Sequence, residues 1–585
     1  MALSDEDLLS RTDAEVVPVM VKLDLDGAAS YAGGKEGLPA TSPEVTGKSL
    51  SANPAAVNRY LAHAEEVTAE AADAIAETVP TAEVTGSFEV AYGGLSALLP
   101  ASKAKDLLKV PGVVAVQADE ARVLQTDTSP DFIGATEVWP SLGGSSTAGE
   151  GVIVGVLDTG IWPEHPSFAD PGIDAPDGGP WGCEFGDGSN PDLGDAFSCN
   201  DKMLGAYAFL DTNVMVTGDL ANDYCSGTEC TARDDNGHGT HTSSTAAGSP
   251  VESAVVLGVD RGSISGVAPG ASVVMYRVCR PGCYESDSVA AVQQAITDGV
   301  DVLNFSISGG TNPYTDAVEL AFLDATAAGI SVNASAGNEG PGAGTAGHGG
   351  PWVTTVAAST TDRHFQTDVV LTADNGDTFT KVGDTVTDGL AGAPVIHASA
   401  IPGYEALCLE PLPDGSVDGM VVVCDRGVNA RVDKGYNVLQ GGAAGMILLN
   451  LVTQGTQTDN HWLPAAQLEG PNEEFKEFLA THSGVTAAWA PGQPRTVRGD
   501  VMAGFSSRGP LGPVLKPDVT APGVQILAGH TPTPNSISSG PPGELYQAIA
   551  GTSMSSPHAA GASALLTAAH PDWSPSEIKS ALMTT

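Results

Sequence analysis

Basic residues are scarce in this sequence of 585 residues, whereas acidic residues are abundant. Lysine and arginine together number 25 against 71 aspartates and glutamates, so the formal net charge is −46. Nucleic acids and anionic membrane surfaces repel a protein of that charge. We therefore predict no nucleic-acid partner and no membrane partner. A protein exposed to salt or to the outside of a cell fits this composition better.

Long apolar runs are also missing. No segment is apolar for the ~20 residues that a membrane helix requires. The longest candidate, 441–452, is too short and is rich in glycine. The first residues, Met-Ala-Leu-Ser-Asp-Glu-Asp, lack the basic and apolar regions of a signal peptide.

Cysteine is sparse, and its eight residues lie in four close pairs along the sequence. They are Cys183, Cys199, Cys225, Cys230, Cys279, Cys283, Cys408 and Cys424. No C-x-x-C occurs, and no pair of histidines accompanies them at zinc spacing. Local disulfides are favoured over free thiols, although sequence alone does not fix the connectivity. Because disulfides form in oxidising compartments, we expect a secreted protein whose native leader is absent from this sequence.

The length suggests three or four domains of ~150 residues each, and residues 15–125 make the first. Residues 16–25 alternate in polarity like a strand, 54–78 are rich in alanine and glutamate like a helix, and 84–92 return to strand character. A second helix is predicted over 103–110, before the apolar run 112–116. The order β-α-β-β-α-β fits a small ferredoxin-like α+β domain.

A parallel α/β sheet is predicted from residue 126 onward. Val152 to Leu157 is a continuous apolar run, which is typical of a strand covered on both faces. Similar runs recur at 272–279, 301–307, 329–334 and 353–358, with helical patterns between them. Alternating strands and helices imply a parallel sheet with right-handed crossovers.

The pattern breaks between residues 366 and 496 into short strands separated by many turns. Residues 420–424 and 445–449 are its predicted core strands. We interpret this region as a separate β-rich insertion that divides the α/β domain into 126–365 and 497–585. The last residues, 577–585, are predicted to be helical, and we expect the native chain to continue beyond them.

Ser553 begins an alanine-rich run that is predicted to be a helix. The preceding residues are small, and Pro557 is expected in the first turn, where its missing N–H has no intrahelical partner. A serine at a helix N-terminus is often only an N-cap. The same position lies beside unpaired backbone N–H groups and the positive end of the helix dipole, which stabilise an anion.

Two further segments supply the groups that would activate such a serine. Asp158 ends the first apolar strand, at the sheet edge where α/β proteins place their sites. His238 lies in Asp234-Asp235-Asn236-Gly237-His238-Gly239-Thr240-His241, a loop that runs into a helix of small residues. The order Asp, His, Ser is that of subtilisin and differs from the order in chymotrypsin-like and α/β-hydrolase enzymes.

With these three segments the chain resembles the subtilisin-like serine proteases, or subtilases. The resemblance implies that Asp158, His238 and Ser553 are catalytic and that Asn338, in Ser-Ala-Gly-Asn-Glu-Gly, supplies an oxyanion donor. It extends to residues 516–523, Lys-Pro-Asp-Val-Thr-Ala-Pro-Gly, a structural signature of the family. A further match, the substrate-pairing segment, consists of Ser306, Ile307, Ser308 and Gly309, where the family more often has glycine in place of Ser308.

Other candidates near these motifs are given different roles. The resemblance favours His238 over His241 as the base. His558 lies one turn beyond Ser553 and is interpreted as a structural residue. Asp234 and Asp235 are interpreted as a solvated turn. No cofactor is predicted, and although many relatives bind structural calcium, the sequence shows no compact ligand loop of the usual kind.

The flanking units also have counterparts in the family. Residues 15–125 resemble its inhibitory propeptide of the I9 type, with 116–125 in the cleft and cleavage between 124 and 129. A permanent accessory domain is the alternative. Residues 366–496 resemble the inserted protease-associated (PA) domain. That insertion could be a lid, a platform that selects substrates, a passive spacer or a dimer surface.

The resulting hypothesis is a secreted serine endopeptidase in its zymogen form, which cleaves polypeptides and is inhibited by its own propeptide. Two alternatives stay open at this point. A catalytically inactive protein could use the insertion to bind peptides, but such a protein has no need for all four of Asp158, His238, Asn338 and Ser553. An esterase could use the same residues, although the extended substrate segment favours peptides.

Overall fold

The computed structural model describes residues 4–119, 129–218, 220 and 223–584. Three large sheets organise these residues. A four-stranded antiparallel sheet lies near the N-terminus, a seven-stranded parallel sheet forms the centre, and an eight-stranded mixed sheet is inserted within the central region. The parallel sheet confirms the predicted α/β architecture.

The N-terminal sheet has the predicted alternation of strands and helices. Its strands in spatial order are Glu83–Phe88, Gly94–Pro100, Val16–Leu23 and Val113–Ala118, each antiparallel to its neighbours. Its helices are Glu6–Ser10, Pro43–Thr46 and Pro54–Thr78. Residues predicted as a second α-helix form a 3-10 helix, Ala101–Lys109. The strand predicted to reach Tyr92 ends at Phe88, because Tyr92 and Gly93 adopt positive φ angles of 66° and 69° in a turn.

The central sheet is parallel throughout. In spatial order its strands are Val519–Pro522, Thr354–Ser359, Ser331–Ser335, Val302–Phe305, Ile153–Asp158, Ser272–Arg277 and Met203–Ala208. All six residues of Ile153–Asp158 are buried, as expected for a strand covered on both faces. This burial explains why the strand appears as one apolar run in the sequence.

Helices cover the central sheet, and three short two-stranded antiparallel ribbons lie outside it. The α-helices are Ala135–Val138, Asp211–Thr217, His238–Ala247, Glu285–Asp298, Ala317–Ala327, Thr552–Ala569 and Pro575–Thr584. The ribbons pair Cys225–Ser226 with Glu229–Cys230, Val255–Val256 with Val259–Asp260, and Ile526–Gly529 with Tyr546–Ile549. Single 3-10 turns are Trp139–Leu142, Pro166–Phe168, Pro191–Leu193, Ala398–Ala400 and Ile537–Ser539.

The inserted sheet closes on itself. Its strands in order are Thr378–Asp384, Ala465–Leu468, Gly445–Leu449, Val421–Asp425, Leu390–His397, Thr486–Trp489, Arg363–Thr372 and Gln493–Thr496. Arg363–Thr372 also pairs with Thr378–Asp384, which completes a ring of seven strands. Two helices that the sequence analysis did not predict, Arg431–Gln440 and Glu473–Thr481, accompany the sheet.

All eight cysteines form disulfides with near neighbours in the sequence, as predicted. The bonds are Cys183–Cys199, Cys225–Cys230, Cys279–Cys283 and Cys408–Cys424. Within the described ranges, every helix is too short or too polar to span a membrane.

Candidate active site

The candidate residues gather at the carboxyl ends of the central strands. Asp158 is the last residue of its strand, Ser306 follows Val302–Phe305 directly, and Asn338 lies three residues beyond Ser331–Ser335. His238 and Ser553 come to the same edge from the beginnings of two helices. In open α/β sheets this edge is where ligands bind.

Asp158 and His238 form a buried pair. The Asp158 side chain is fully buried, and that of His238 is 6% exposed. His238 Nδ1 donates to Asp158 Oδ1 at 2.6 Å, while Thr159 N and Thr242 Oγ1 donate to the carboxylate at 2.8 and 3.0 Å. Because Nδ1 carries the proton, Nε2 of a neutral imidazole is an acceptor. His238 Nε2 is buried and has no hydrogen-bond partner among the described residues.

The loop before His238 is buried, so the expectation of a solvated turn was wrong. Asp234 is fully buried and accepts hydrogen bonds from Thr159 Oγ1, Gly237 N and Thr240 N at 2.9 to 3.0 Å. A buried carboxylate needs donors of this kind, and here they fix the loop that presents His238.

Asp235, the second acid of the predicted turn, is buried as well. It is 3% exposed and lies 3.2 Å from Arg277 Nη2. Burial raises the pKa of Asp235 to about 7, and the Arg277 guanidinium opposes that rise. Neither Asp234 nor Asp235 takes the place of Asp158, which is the carboxylate bonded to His238.

Ser553 is the second residue of the helix Thr552–Ala569 and is 1% exposed. Its Oγ donates to the carbonyl of Ser306 at 2.7 Å, and Ser306 Oγ donates to the carbonyl of Ser553 at 2.8 Å. In this resting arrangement the hydroxyl is bonded to a backbone carbonyl of the neighbouring strand end. The structure therefore brings Ser553 to the site with its proton directed at Ser306.

Pro557 lies in the second turn of that helix, not in the first as expected. A proline there has no N–H for the carbonyl four residues earlier, which is that of Ser553. Ser306 Oγ supplies the missing donor. The proline therefore frees the Ser553 carbonyl for the bond that ties the helix to the end of a central strand.

Asn338 is oriented by Thr552. Its Oδ1 accepts from Thr552 N at 3.1 Å and from Thr552 Oγ1 at 3.2 Å, and Thr552 Oγ1 accepts from Gly337 N at 3.1 Å. A backbone N–H requires an acceptor, so the amide oxygen faces Thr552. The Nδ2 donors consequently face away from Thr552. Sequence reasoning did not identify Thr552, because its adjacency to Ser553 gave no sign of a contact with Asn338.

The segment Ser306–Gly309 divides between the core and the surface of the cleft. Ser306 and Ile307 are buried, whereas Ser308 and Gly309 line a cavity of about 210 Å³ together with Gly337 and Glu339. Only the outer half of the predicted substrate segment is therefore accessible.

A second histidine–carboxylate pair, formed by His348 and Glu319, contacts the segment Ser306–Gly309 on its buried side. His348 Nδ1 lies 2.7 Å from Glu319 Oε1, and His348 Nε2 donates to the carbonyl of Ile307 at 2.9 Å. A Cβ on Gly309 would lie 2.4 to 2.6 Å from the His348 ring. No sequence pattern indicates this pair, because neither residue belongs to a motif.

A larger cavity of about 420 Å³ has His238 and Asn338 in its wall. The inserted region also contributes to this wall, through Arg426, Arg431, Gln457 and Asp459. These four residues were not predicted, because no motif relates the insertion to the segments that contain Asp158, His238 and Ser553.

The remaining histidines of the predicted motifs are engaged elsewhere. His241 is fully buried with Nε2 3.3 Å from the carbonyl of Ile526, and burial lowers its pKa well below the ordinary value. His558 donates from Nδ1 to the carbonyl of Met554 at 2.6 Å and accepts from Ser129 N at Nε2. Burial lowers the pKa of His558 to about 4.

Among the described residues, no group of three or more His, Cys, Asp or Glu side chains could hold a metal ion. The arrangement at the cleft offers a hydroxyl, an imidazole nitrogen positioned as an acceptor, and amide donors. These are the groups that acyl transfer needs.

Comparison with known proteins gives consistent matches over most of the chain. Residues 149–585 match the family model described as Peptidase_S8, Subtilase family. Subtilisin-like protease SBT1.4 of Arabidopsis thaliana is 41% identical over 523 residues, covering 85% of this chain and 65% of that protein. SBT1.7 and SBT1.3 of the same plant are 40% and 39% identical, over 86% and 85% of this chain and 68% and 66% of their own lengths. The chain thus spans about two thirds of the length of these relatives.

Proposed function

The chain belongs to the subtilase family of serine endopeptidases, and we propose that it is a hydrolase that cleaves peptide bonds through an acyl-enzyme on Ser553. Asp158, His238 and Ser553 are the proposed triad, and Asn338 is the proposed oxyanion donor. One observation carries the proposal. His238 bonds Asp158 through Nδ1, and its buried Nε2 has no partner within the described part of the chain.

The proposed reaction begins when Ser553 Oγ leaves the Ser306 carbonyl and attacks the substrate carbonyl. His238 Nε2 takes the hydroxyl proton, and Asp158 stabilises the imidazolium that results. Asn338 Nδ2 and the Ser553 N–H stabilise the tetrahedral oxyanion. His238 then gives the proton to the leaving amine, and a water molecule releases the acyl group by the same steps.

Labelling with a fluorophosphonate, followed by peptide mapping, tests the proposed nucleophile. We expect the label on Ser553 in folded, processed protein and its loss in Ser553→Ala. Ser538→Ala is a matched control, since Ser538 also lines the larger cavity but has no proposed part in the reaction. Absence of label on Ser553 in the folded protein would contradict the proposal.

No cofactor is needed in this proposed chemistry, because the chain supplies the nucleophile, the base and the oxyanion donors. A chelator in excess is therefore expected to leave peptide hydrolysis unchanged in an assay of the folded protein. If activity falls and returns with added metal, this part of the proposal is wrong.

Residues 15–125 are proposed to be an inhibitory propeptide of the I9 type. Polar contacts between this unit and the central domain support that role, and on the central domain they involve the helices Glu285–Asp298 and Ala317–Ala327. They are Val90 N with Gln293 Oε1 at 3.0 Å, Tyr92 N with Asp324 Oδ2 at 2.8 Å, and Ser286 N with Asp119 Oδ1 at 2.9 Å.

Most of the predicted cleft-binding and cleavage region cannot be compared with the structure, because residues 120–128 lie outside the described residues. Purified Ser553→Ala tests the proposed self-processing. We expect cleavage between 124 and 129 to stop in this variant and to continue in Ser538→Ala. Normal cleavage of Ser553→Ala would indicate another protease.

Residues 366–496 are proposed to be an inserted PA domain, between catalytic parts at 126–365 and 497–585. The partners proposed for the whole protein are polypeptide substrates and its own propeptide, with no nucleic acid and no membrane. Secretion is also proposed, and the four disulfides support it because such bonds persist in oxidising compartments. Recovery of the disulfide-bonded protein from the medium of producing cells would test this localisation.

A further inference from the structure

The two cavities lie at different parts of the cleft. The smaller is lined by Ser308, Gly309 and Glu339, and the larger by His238 and Asn338. We assign substrate residues before the scissile bond to Ser306–Gly309, the proposed substrate-pairing segment. The leaving amine must reach His238 Nε2 to receive its proton. The larger cavity is assigned to the side of the leaving group, because its lining includes His238 and, unlike the lining of the smaller cavity, no residue of Ser306–Gly309.

The inserted region is fixed against the strand that leads to Ser553. Thr458 Oγ1 donates to the carbonyl of Ala548 at 2.7 Å, and Asn460 Nδ2 donates to the carbonyl of Tyr546 at 2.9 Å. Both donors are buried, and Trp462 Nε1 adds a bond of 2.9 Å to the carbonyl of Ile537. Residues of the insertion consequently hold a defined position relative to the proposed nucleophile.

The charges in the wall of the larger cavity do not cancel. Arg431 is bonded to Asp459 in a bidentate pair, with Nε–Oδ2 and Nη2–Oδ1 distances of 2.6 and 2.8 Å. Arg426 has neutral acceptors: Nη1 lies 3.4 Å from Asn450 Oδ1 and from the carbonyl of Gly455, and the Gln454 amide, turned to satisfy its hydrogen bonds, accepts from Nη1 at 3.0 Å and from Nε at 3.3 Å. Two guanidiniums and one carboxylate leave one positive charge, in a protein whose net charge is −46.

Arg426 is also partly withdrawn from water. Burial and the nearby Arg431 lower the pKa of Arg426 to about 10, while Asp459 opposes that change. A half-buried guanidinium without a carboxylate of its own gains most from an incoming anion, because the pair is screened less than at the surface. Carboxylates fit the planar fork of a guanidinium in a bidentate geometry.

We propose that Arg426 makes this enzyme selective for substrates with an acidic side chain at the first or second residue after the scissile bond. The inference rests on the proposed peptidase function and gives the insertion a direct role in substrate recognition. Arg431 is not the selecting residue, because Asp459 already occupies its guanidinium.

Pairs of internally quenched peptides that differ only by Asp or Asn after the scissile bond test this selectivity. For the processed wild-type enzyme we expect kcat/KM about tenfold higher with Asp, and a smaller ratio at high salt. Arg426→Gln should bring the Asp/Asn ratio close to one, and Arg426→Glu should favour Lys at the same position. Arg426→Lys should retain part of the preference.

Arg495→Gln is the matched control, because Arg495 pairs with Asp368 at the exposed edge of the inserted sheet and does not line the cavity. This variant should keep the wild-type Asp/Asn ratio. Equal rates for the Asp and Asn peptides in the wild type would overturn the selectivity while leaving the peptidase function intact. Failure of the folded, processed and unlabelled wild type to cleave any peptide would overturn both. If Arg426→Gln does not fold, the wild-type ratio and its salt dependence still decide the matter.

Discussion

Two regions of the central domain contain the same chemical pair, a buried histidine with a carboxylate on Nδ1. The Nδ1–carboxylate distances are 2.6 Å for His238 with Asp158 and 2.7 Å for His348 with Glu319. The pairs differ at the other ring nitrogen. His238 Nε2 has no partner among the described residues, whereas His348 Nε2 donates to the carbonyl of Ile307.

In the proposed function, this difference separates a reactive group from a supporting one. The first pair leaves Nε2 without a partner among the described residues and so available to accept a proton, whereas the second pair uses Nε2 to hold the carbonyl of Ile307. Glu319 extends that support, because its Oε2 accepts from Gly350 N at 2.9 Å. A buried carboxylate–histidine pair is therefore no sign of catalysis until the far nitrogen has been examined.

Replacing the carboxylate of the first pair with an amide should have the largest effect. In Asp158→Asn the new amide can donate to His238 Nδ1, which moves the imidazole proton to Nε2 and removes the base. We expect kcat to fall about 10⁴-fold with little change in KM. Steady-state peptide hydrolysis measures this, with circular dichroism to confirm the fold. A loss below tenfold would mean that the tautomer of His238 does not limit the reaction.

Truncation of Asn338 should have the next largest effect, because it removes a donor to the oxyanion and leaves the first pair untouched. We expect Asn338→Ala to lower kcat roughly 10²–10³-fold, the cost of losing such a donor in subtilisin, while substrate binding is kept. Asn338→Asp is the sharper variant, because an aspartate keeps an oxygen for Thr552 but has no N–H groups. It should not restore kcat, and an unchanged kcat in either variant would remove Asn338 from this role.

The central fold was predictable because fully buried parallel strands are continuous apolar runs, as in Ile153–Asp158. The helix Arg431–Gln440 of the insertion was missed because it is short and contains a glycine and several polar residues, which are typical of loops, although its buried residues recur at helical spacing. Asp234 and Asp235 were taken for a solvated turn because acidic residues in a loop are usually exposed, and because Thr159 and Arg277, which help to bury them, come from distant segments.

The candidate site was predictable only where its residues lie in recognisable motifs. Asp158, His238 and Ser553 each lie in such a motif, and their order along the chain was informative. His348 and Arg426 are brought to the cleft by tertiary packing, which leaves no pattern in the neighbouring sequence. The orientation of Asn338 by Thr552 also depends on a contact between distant segments.

A methyl group at Gly309 should disturb the pair formed by His348 and Glu319. Its Cβ would meet the His348 ring at 2.4 to 2.6 Å, and that ring is held by Glu319 and by the Ile307 carbonyl. The substrate segment must then shift, so we expect Gly309→Ala to raise KM on the order of tenfold, with a smaller loss in kcat. Gly504→Ala is the control, since a Cβ there meets nothing within 4 Å. A KM equal to that of the wild type in Gly309→Ala would show that the His348 ring moves aside and that the substrate segment keeps its position.

Glu319→Gln should change kcat least, although it replaces a carboxylate with an amide just as Asp158→Asn does. In Glu319→Gln the amide N–H can donate to Nδ1 of a neutral His348, and its oxygen can still accept from Gly350 N. His348 Nε2 keeps its proton, so the bond to the Ile307 carbonyl persists. We expect kcat within about threefold of wild type and unfolding free energy within about 1.5 kcal/mol, the size of one hydrogen bond. Glu319→Ala leaves these groups unpaired and should lose about 3–5 kcal/mol in urea denaturation. A fall in kcat for Glu319→Gln as deep as that for Asp158→Asn would make His348 a participant in the reaction and erase the distinction between the two pairs.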